Sequence, residues 1–248
     1  MEELRIIKKT SSLGDLVIKP VEKKLAKEMI VKNHYSHKWN DSGFGIYNFG
    51  IFKLDEPDRC IGVAVYGLMK NPKAKIFEHP RDNAWMCELN RMWIADELGM
   101  NAETVLIGAS IKLLKRIDSN IVAIQSFADG RLGCGTIYKA ANFKYYGYHY
   151  TKFLENKRTG EVIHEQLFTN STNTSGYMRN NLSYLIGDFT TYQVKTYRYI
   201  YPLCKHFKFN LKKEQPFPEY EKSSTKVQWE RNTTLIKERL INMIYTMK

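Results

Sequence analysis

The sequence predicts an α+β, mixed α/β fold: a central mixed sheet with helices on both faces. Three features carry that expectation. Strand-like and helix-like patterns follow one another as strand, helix, two or three strands, helix, strand, helix, strand, strand, an order that a helix-covered sheet satisfies. IVAIQSF (121–127) reads as a buried strand, and the helix pattern before it is strong. The 248 residues can also bury a sizeable core, and they contain no internal repeat or low-complexity tract.

The elements follow in order. LVIKP begins residues 16–39 as a short strand and turns at Pro20 into an amphipathic helix, with Val21, Leu25, Met29 and Ile30 at helical spacing on one face. FGIYNFGIFKL (44–54) and RCIGVAVYGLM (59–69) are strands, and the turn residues of LDEPDR between them predict an antiparallel hairpin. KNPKAKIFEHPRD (70–82), rich in Pro and charge, is a loop. WMCELNRMWI (85–94) alternates well enough for a further strand. In NAETVLIGASIKLLKRI, Asn101 suits the N-cap, Glu103 and Thr104 sit in the first turn, and Lys and Arg gather in the last. TIYKAANF (136–143) is a short helix. YYGYHYTKFLEN and EVIHEQLF, joined by KRTG, form a second hairpin. Strands 121–127 and 145–154 are expected to be sheet neighbours that diverge near Asp129. TNSTNTSGYMRNNLSYLIGDFT (170–191) reads as a long exposed insertion, and YQVKTYRYIYPL (192–203) returns as a strand. The expected organisation is a catalytic domain over 1–204 and a basic, polar extension over 205–248 that ends in a helix, LIKERLINMIYTM.

Charge and cysteine usage bound the partners and the compartment. A net charge of +12 favours anionic partners, of which nucleic acid is the commonest, and sixteen tyrosines accompany it. Cys60, Cys87, Cys134 and Cys204 are scattered with no CxxC pair, which argues against a zinc ribbon and against a disulfide framework. MEELRIIKK lacks the apolar core of a secretory signal, and no apolar stretch is long enough to span a bilayer. The expectation is a cytoplasmic protein with reduced thiols and no membrane partner.

The element order is similar to that of the GNAT acyltransferases, in which two central parallel strands splay apart and acyl-coenzyme A lies in the opening. The usual glycine-rich pyrophosphate loop is missing, although a helix N-terminus after ELNRMWIADELGM still offers amides to an anion. Within SFADGRLGCGTIYKAANFKYYG, Asp129 stands at the end of a strand, where a base would be needed. Gly130, Gly133 and Gly135 permit a tight turn, and Tyr138 follows where many GNAT enzymes keep a phenol that protonates a departing thiolate. Asn142 suits either the cofactor arm or the end of the helix.

A more specific resemblance rests on four pieces in order. ELNRMWIADELGMNAETVLIGASIKLLKRI and SFADGRLGCGTIYKAANFKYYG, preceded by NHYSHKW and followed by KTYRYIYPL, resemble the Mom family of bacteriophage DNA-modification proteins over residues 30–203. The resemblance implies a GNAT-like fold, acetyl-CoA or a related acyl-CoA as group source, an iron requirement, and N6-methylcarbamoylation of adenine in double-stranded DNA, protecting it from restriction. It also implies that His34, Tyr35 and Asp129 are iron ligands or acid/base groups, and that Arg91 and Ser110 are cofactor or active-site contacts. His37 completes a two-His-one-carboxylate set with His34 and Asp129 if the helix persists that far. The third ligand stays open.

Chemistry on an adenine amine inside a duplex requires the base to be flipped or locally melted, and the aromatic residues of YYGYHY and HYSHKW are candidates for stacking on it. Lys139, Lys144, Lys152, Lys157 and Arg158 are the candidate phosphate contacts. Two other classes compete with a DNA-modifying transferase. One is a GNAT-type N-acyltransferase acting on a protein, tRNA or small-molecule amine; the other is a catalytically dead DNA-binding protein.

Overall fold

The structure, a computed structural model, describes residues 4–157, 162–164, 189–220, 227–228 and the single residues 238, 241 and 245. In chain order the elements are β1 (Ile6–Thr10), β2 (Gly14–Pro20), α1 (Lys23–Asn33), β3 (Tyr47–Lys53), β4 (Gly62–Leu68), β5 (Phe77–Glu78), β6 (Trp85–Ile94), α2 (Ala102–Ile117), β7 (Ile121–Asp129), α3 (Thr136–Ala140), β8 (Lys144–Asn156), β9 (Val162–His164), β10 (Phe189–Pro202), β11 (Lys208–Phe209) and β12 (Val227–Gln228). The main sheet runs β1-β2-β3-β4-β6-β7-β10-β8-β9, with β12 on β10, and β5 pairs β11 in a separate small sheet. Strands β1 to β6 pair antiparallel, and β6 with β7 is parallel. An antiparallel meander leading into a central parallel pair is the topology expected of a GNAT-like mixed α/β fold.

Two compact units emerge from the contacts. The first comprises 1–128, 135–147 and 198–219; the second comprises 129–134, 148–197 and 220–248. In the first unit α2 buries Leu106, Ile107, Ala109, Leu113 and Leu114 at or near zero exposure, alongside sheet residues such as Leu16, Ile18, Phe49, Ile51 and Tyr66. Burial of each such side chain stabilises the fold by about 1.5–3 kcal/mol before chain entropy is counted. In the second unit Phe153, Tyr192 and Val194 form a small core of their own. None of the four cysteines is in a disulfide, and among the described residues no helix is long and apolar enough to cross a membrane.

Several expectations shift in detail. The α1 face that packs is Ala26 and Ile30, with Met29 and Val21 partly buried, whereas Leu25 is exposed, so the buried stripe lies one position later. Asn101 does stand at the N-cap of α2, but in the left-handed region (φ 72°) with no side-chain cap bond. Helix α3 stops at Ala140 because Asn142 turns left-handed (φ 61°), a conformation that Asn tolerates better than most residues. Strand β10 lies between β7 and β8, so residues 121–127 and 145–154 share one sheet without being neighbours. Its buried Val194, Tyr199 and Ile200 suit that interior place. Residues 208–217 are built into the first unit: Phe209 packs on Ile200 and Tyr146, and Phe217 stacks near Tyr199. Most of the expected 170–191 insertion and of the terminal helix lies outside the described residues, although Glu238, Ile241 and Tyr245 are helical.

Candidate active site

The site begins where the sheet opens. β6 and β7 pair from Trp85↔Ile121 to Glu88↔Gln125; beyond that register β6 continues to Ile94 and β7 to Asp129 without pairing each other. The paired end is fixed from outside the ladder, because Tyr47 Oη and Trp85 Nε1 both donate to Asp118 at the end of α2, at 3.0 and 3.2 Å. Past the opening, a side chain replaces the missing ladder partner. Ser126 Oγ lies 3.2 Å from the Leu89 carbonyl and 2.8 Å from the Tyr138 hydroxyl. Ser126 is the donor toward both acceptors, so its one proton is shared between the Leu89 carbonyl and the phenol oxygen. Tyr138 is buried against Tyr199 and Phe143, with ring centroids at 5.1 and 5.4 Å, and burial pushes its pKa up to about 12. It therefore holds its proton at neutral pH. Gly135 permits this packing: its φ is 85°, and a Cβ there would stand 2.7 Å from Ala128 Cβ and 2.8 Å from the Tyr199 ring.

Gln125 precedes Ser126 and points to the opposite side of the sheet. Its Nε2 donates to one oxygen of Glu88 at 2.8 Å, while Asn90 Nδ2 donates to the other at 3.2 Å. Asn90 is the extra residue of a bulge in β6, since Val65 pairs Arg91 and the next residue, Tyr66, pairs Leu89, and such a bulge re-aims a side chain. Burial raises the Glu88 pKa, and the two amides and the Arg91 and Arg198 guanidiniums oppose that rise. A carboxylate of this kind is a poised proton acceptor.

Arg91 sits on the same strand. It donates to the Asn90 carbonyl at 2.6 Å, stacks over the Phe44 ring at 4.8 Å, and its buried Nε has no hydrogen-bond partner. Among the described residues no carboxylate stands at ion-pair distance from it. His34 caps the C-terminus of α1 and is buried; burial first, then the Arg91 charge and His37, lower its pKa to about 4. Its Nδ1 faces the Ser36 amide at 3.1 Å and the Ser36 hydroxyl at 2.8 Å, which assigns the ring proton of the neutral form to Nε2. Tyr35 is exposed and tilts on the His34 ring at 4.2 Å. Tyr35, Glu88 and Tyr138 all act electrostatically on Arg91.

The first unit thus brings His34, Tyr35, Arg91 and Tyr138 to one region and adds Glu88, Asn90, Gln125 and Ser126, which the sequence reading passed over as strand residues. One signal was available: a Glu and a Gln inside otherwise buried strands are rare enough to mark a site. Other expectations need correction. Ser110 is fully buried, bonded to Tyr66 Oη at 2.6 Å and to the Ile107 carbonyl at 2.9 Å, so it is a core hydroxyl with no access to a cofactor. Asn142 terminates α3, as described above. Asp129, in the second unit, accepts from Arg131 Nε through both oxygens at 3.0 Å, from Arg131 NH2, and from the Arg131 amide. These bonds hold the carboxylate against the arginine of its own turn.

The iron set fares no better. Helix α1 ends at Asn33, so His34 and His37 do not share a helical face, and His37 (φ 48°) turns its Nδ1 to the Val31 carbonyl at 3.0 Å. Among the described residues no group of three or more His, Cys, Asp or Glu side chains could hold a metal ion. His34 and Tyr35 belong to the first unit and Asp129 to the second.

Of the phosphate candidates, Lys144 is paired with Glu214 at 2.7 Å, and Lys139 lies over Phe217 at 5.4 Å. Lys152 and Lys157 lie on or just after β8, and Arg158 is outside the described residues.

Comparison with known proteins gives the family. Among solved structures, a chimera of Vibrio cholerae spermidine N-acetyltransferase SpeG and hSSAT is 12% identical with a TM-score of 0.41, covering 75% of this chain and 95% of that one. Arabidopsis thaliana NAA60 in complex with acetyl-CoA is 7% identical with a TM-score of 0.44, covering 76% and 99%. Sequence similarity is much closer elsewhere: the methylcarbamoylase Mom of Escherichia phage Mu is 30% identical over 205 residues, 79% of this chain and 80% of that protein. The model of the Mom protein family matches residues 15–219, which include both strands of the opening and every residue placed around it, and the chain belongs to the Mom protein family.

Proposed function

We propose that the protein is a DNA-modifying transferase that places an acyl-type group, of which methylcarbamoyl is the family example, on the N6 amine of adenine and so shields the DNA from restriction. One observation carries the chemistry: a half-buried, amide-clamped Glu88 and a buried, protonated Tyr138 flank the same opening between two parallel strands. An exocyclic adenine amine is a poor nucleophile because its lone pair is delocalised into the ring. As the amine nitrogen bonds to the carbonyl carbon, Glu88 accepts the proton it must lose. Tyr138 releases its proton to the leaving group as the old bond breaks, and Arg91 supplies fixed positive charge for the developing oxyanion. An acyl-coenzyme A, the proposed donor, would supply an activated thioester carbonyl, with thiolate as that leaving group. No side chain caps the start of α2, so its first amides are the residues here that fit the donor's phosphates.

Nucleoside mass spectrometry of DNA from cells expressing the protein tests the reading. A mass-shifted deoxyadenosine is expected. Unaltered DNA together with an acylated tRNA, protein or small amine would overturn the substrate assignment.

The clamp on Glu88 makes a second, quantitative expectation. Activity requires ionised Glu88, so it falls as pH drops through that group's raised pKa. Gln125→Leu removes a donor that favours the ionised form. The acidic limb of the pH–rate profile should therefore move to higher pH, with the alkaline plateau reduced less than tenfold. An unmoved limb would show that Glu88 does not govern the rate.

A further inference from the structure

The aromatic residues of YYGYHY separate into two populations. Tyr145 and Tyr146 are buried core residues of the first unit, packed on Tyr199 and Phe209. Tyr148 and Tyr150 lie on β8 in the second unit and remain 39% and 49% exposed. Two residues apart on a strand, they share a face of the sheet, and Lys152 continues it. Their rings meet edge to face at 5.5 Å, and Lys195 of β10 holds its ammonium 5.3 Å from the Tyr148 ring. Beneath them the strands are tied together, since the Thr151 and Thr196 hydroxyls lie 2.7 Å apart and Tyr148 leans on the buried Tyr197 at 6.1 Å. The result is a sheet face that presents two large aromatic rings with the Lys195 ammonium beside one of them.

We propose that this face of β8 and β10 binds unpaired DNA, bases stacking on Tyr148 and Tyr150 and phosphates meeting Lys195 and Lys152. This rests on the DNA reading above and names the strand state that the protein holds. The charge on the face selects an anionic partner, and the ring faces select one with planar groups to offer. Duplex DNA has the charge but keeps its base faces inside the stack, whereas an unpaired strand offers both. Such a surface also suits chemistry on a base that must leave the helix, because strand opened around the target is held rather than re-paired.

Fluorescence anisotropy with a short labelled single strand, and with the same sequence as a duplex, tests the proposal. The wild-type protein should bind the single strand more tightly. Tyr148→Ala with Tyr150→Ala should cost roughly 5- to 150-fold in single-strand affinity per base released from stacking. The slope of log affinity against log salt should stay unchanged, because the rings neutralise no phosphate. Tyr148→Phe with Tyr150→Phe keeps the ring faces and should keep the affinity, which separates stacking from any loss of folding in the alanine variant. Lys195→Gln should lower the salt slope by roughly 0.7. A folded double-alanine variant with wild-type affinity would overturn the proposal, as would a wild-type preference for duplex. Unmodified adenine in expressing cells would defeat the proposed chemistry while leaving this binding result standing.

Discussion

Glu88→Gln yields a folded protein whose rate of adenine modification is about 10²–10⁴-fold below that of the wild type, the range typical for loss of a general base. The substitution preserves size and removes the only carboxylate described at the opening whose two oxygens are held by neutral amides. It also removes the desolvation that raises the Glu88 pKa, which favours the variant, and it places an amide against two amide donors, which does not. One of the partners, Gln125 or Asn90, can flip to offer its oxygen, and each of those oxygens lacks a partner in the native protein. The net change in unfolding free energy should therefore stay within about 1 kcal/mol. Single-turnover product formation, followed by mass spectrometry on a protein whose thermal unfolding matches the wild type, measures the effect. A wild-type rate would return the search for a base to the other groups around the opening.

The fold was legible wherever local pattern and tertiary environment agree. α2 shows this best: its apolar residues recur at helical spacing, basic residues gather at its end, and the structure buries that face. β6 and β7 were legible for the same reason. Two features were not legible, because they depend on pairing across long separations. The place of β10 between β7 and β8 cannot be read from YQVKTYRYIYPL, whose alternation of Tyr with polar residues suits an edge strand equally well. β1 pairs β2 across a tight turn, yet IIKKT carries two lysines and little alternation.

The site divides along the same line. Arg91, His34 and Tyr138 belong to short motifs whose residue types are unusual for their surroundings, and the first unit does bring them to one region. The proposed base did not follow from the motif. Asp129 attracts attention because glycines follow it, but a carboxylate two residues before an arginine finds that arginine in the turn. Glu88 lies inside a run that alternates like any strand. Its meaning depends on where the β6–β7 ladder stops and on the bulge at Asn90 in its pairing with β4, and both are properties of the assembled sheet.

Arg91→Met should stabilise the protein and disable it together. Arginine stays protonated even when burial draws its pKa down, so Arg91 carries a charge out of water. What the described structure returns is one neutral carbonyl, one aromatic face and the attraction of Glu88 beyond ion-pair distance, with Nε unsatisfied. Replacing a poorly compensated buried charge with an apolar side chain of similar length is commonly neutral or stabilising by about 1–4 kcal/mol; Arg91 is half-buried, so the low end of that range is expected, and methionine is unbranched enough to follow the same path. The rate should nevertheless fall about 10²–10³-fold, the usual loss when a preorganised partner of an oxyanion is removed. His34 provides a local check. The Arg91 charge is the second cause of its depressed pKa, so the variant's imidazole should titrate above its native value of about 4 by NMR. The sign for stability follows from linkage. Between pH 6.5 and about 4 the unfolded wild-type chain binds a proton at His34 that the native state refuses, so native stability falls on acidification across that window. Raising the folded pKa narrows the window from below, and the advantage of the variant over the wild type should be larger at pH 5 than at pH 7.5. Urea denaturation at the two pH values measures that difference. A variant less stable than the wild type at both would mean that the guanidinium is satisfied in solution and that Arg91 is a structural residue of the opening.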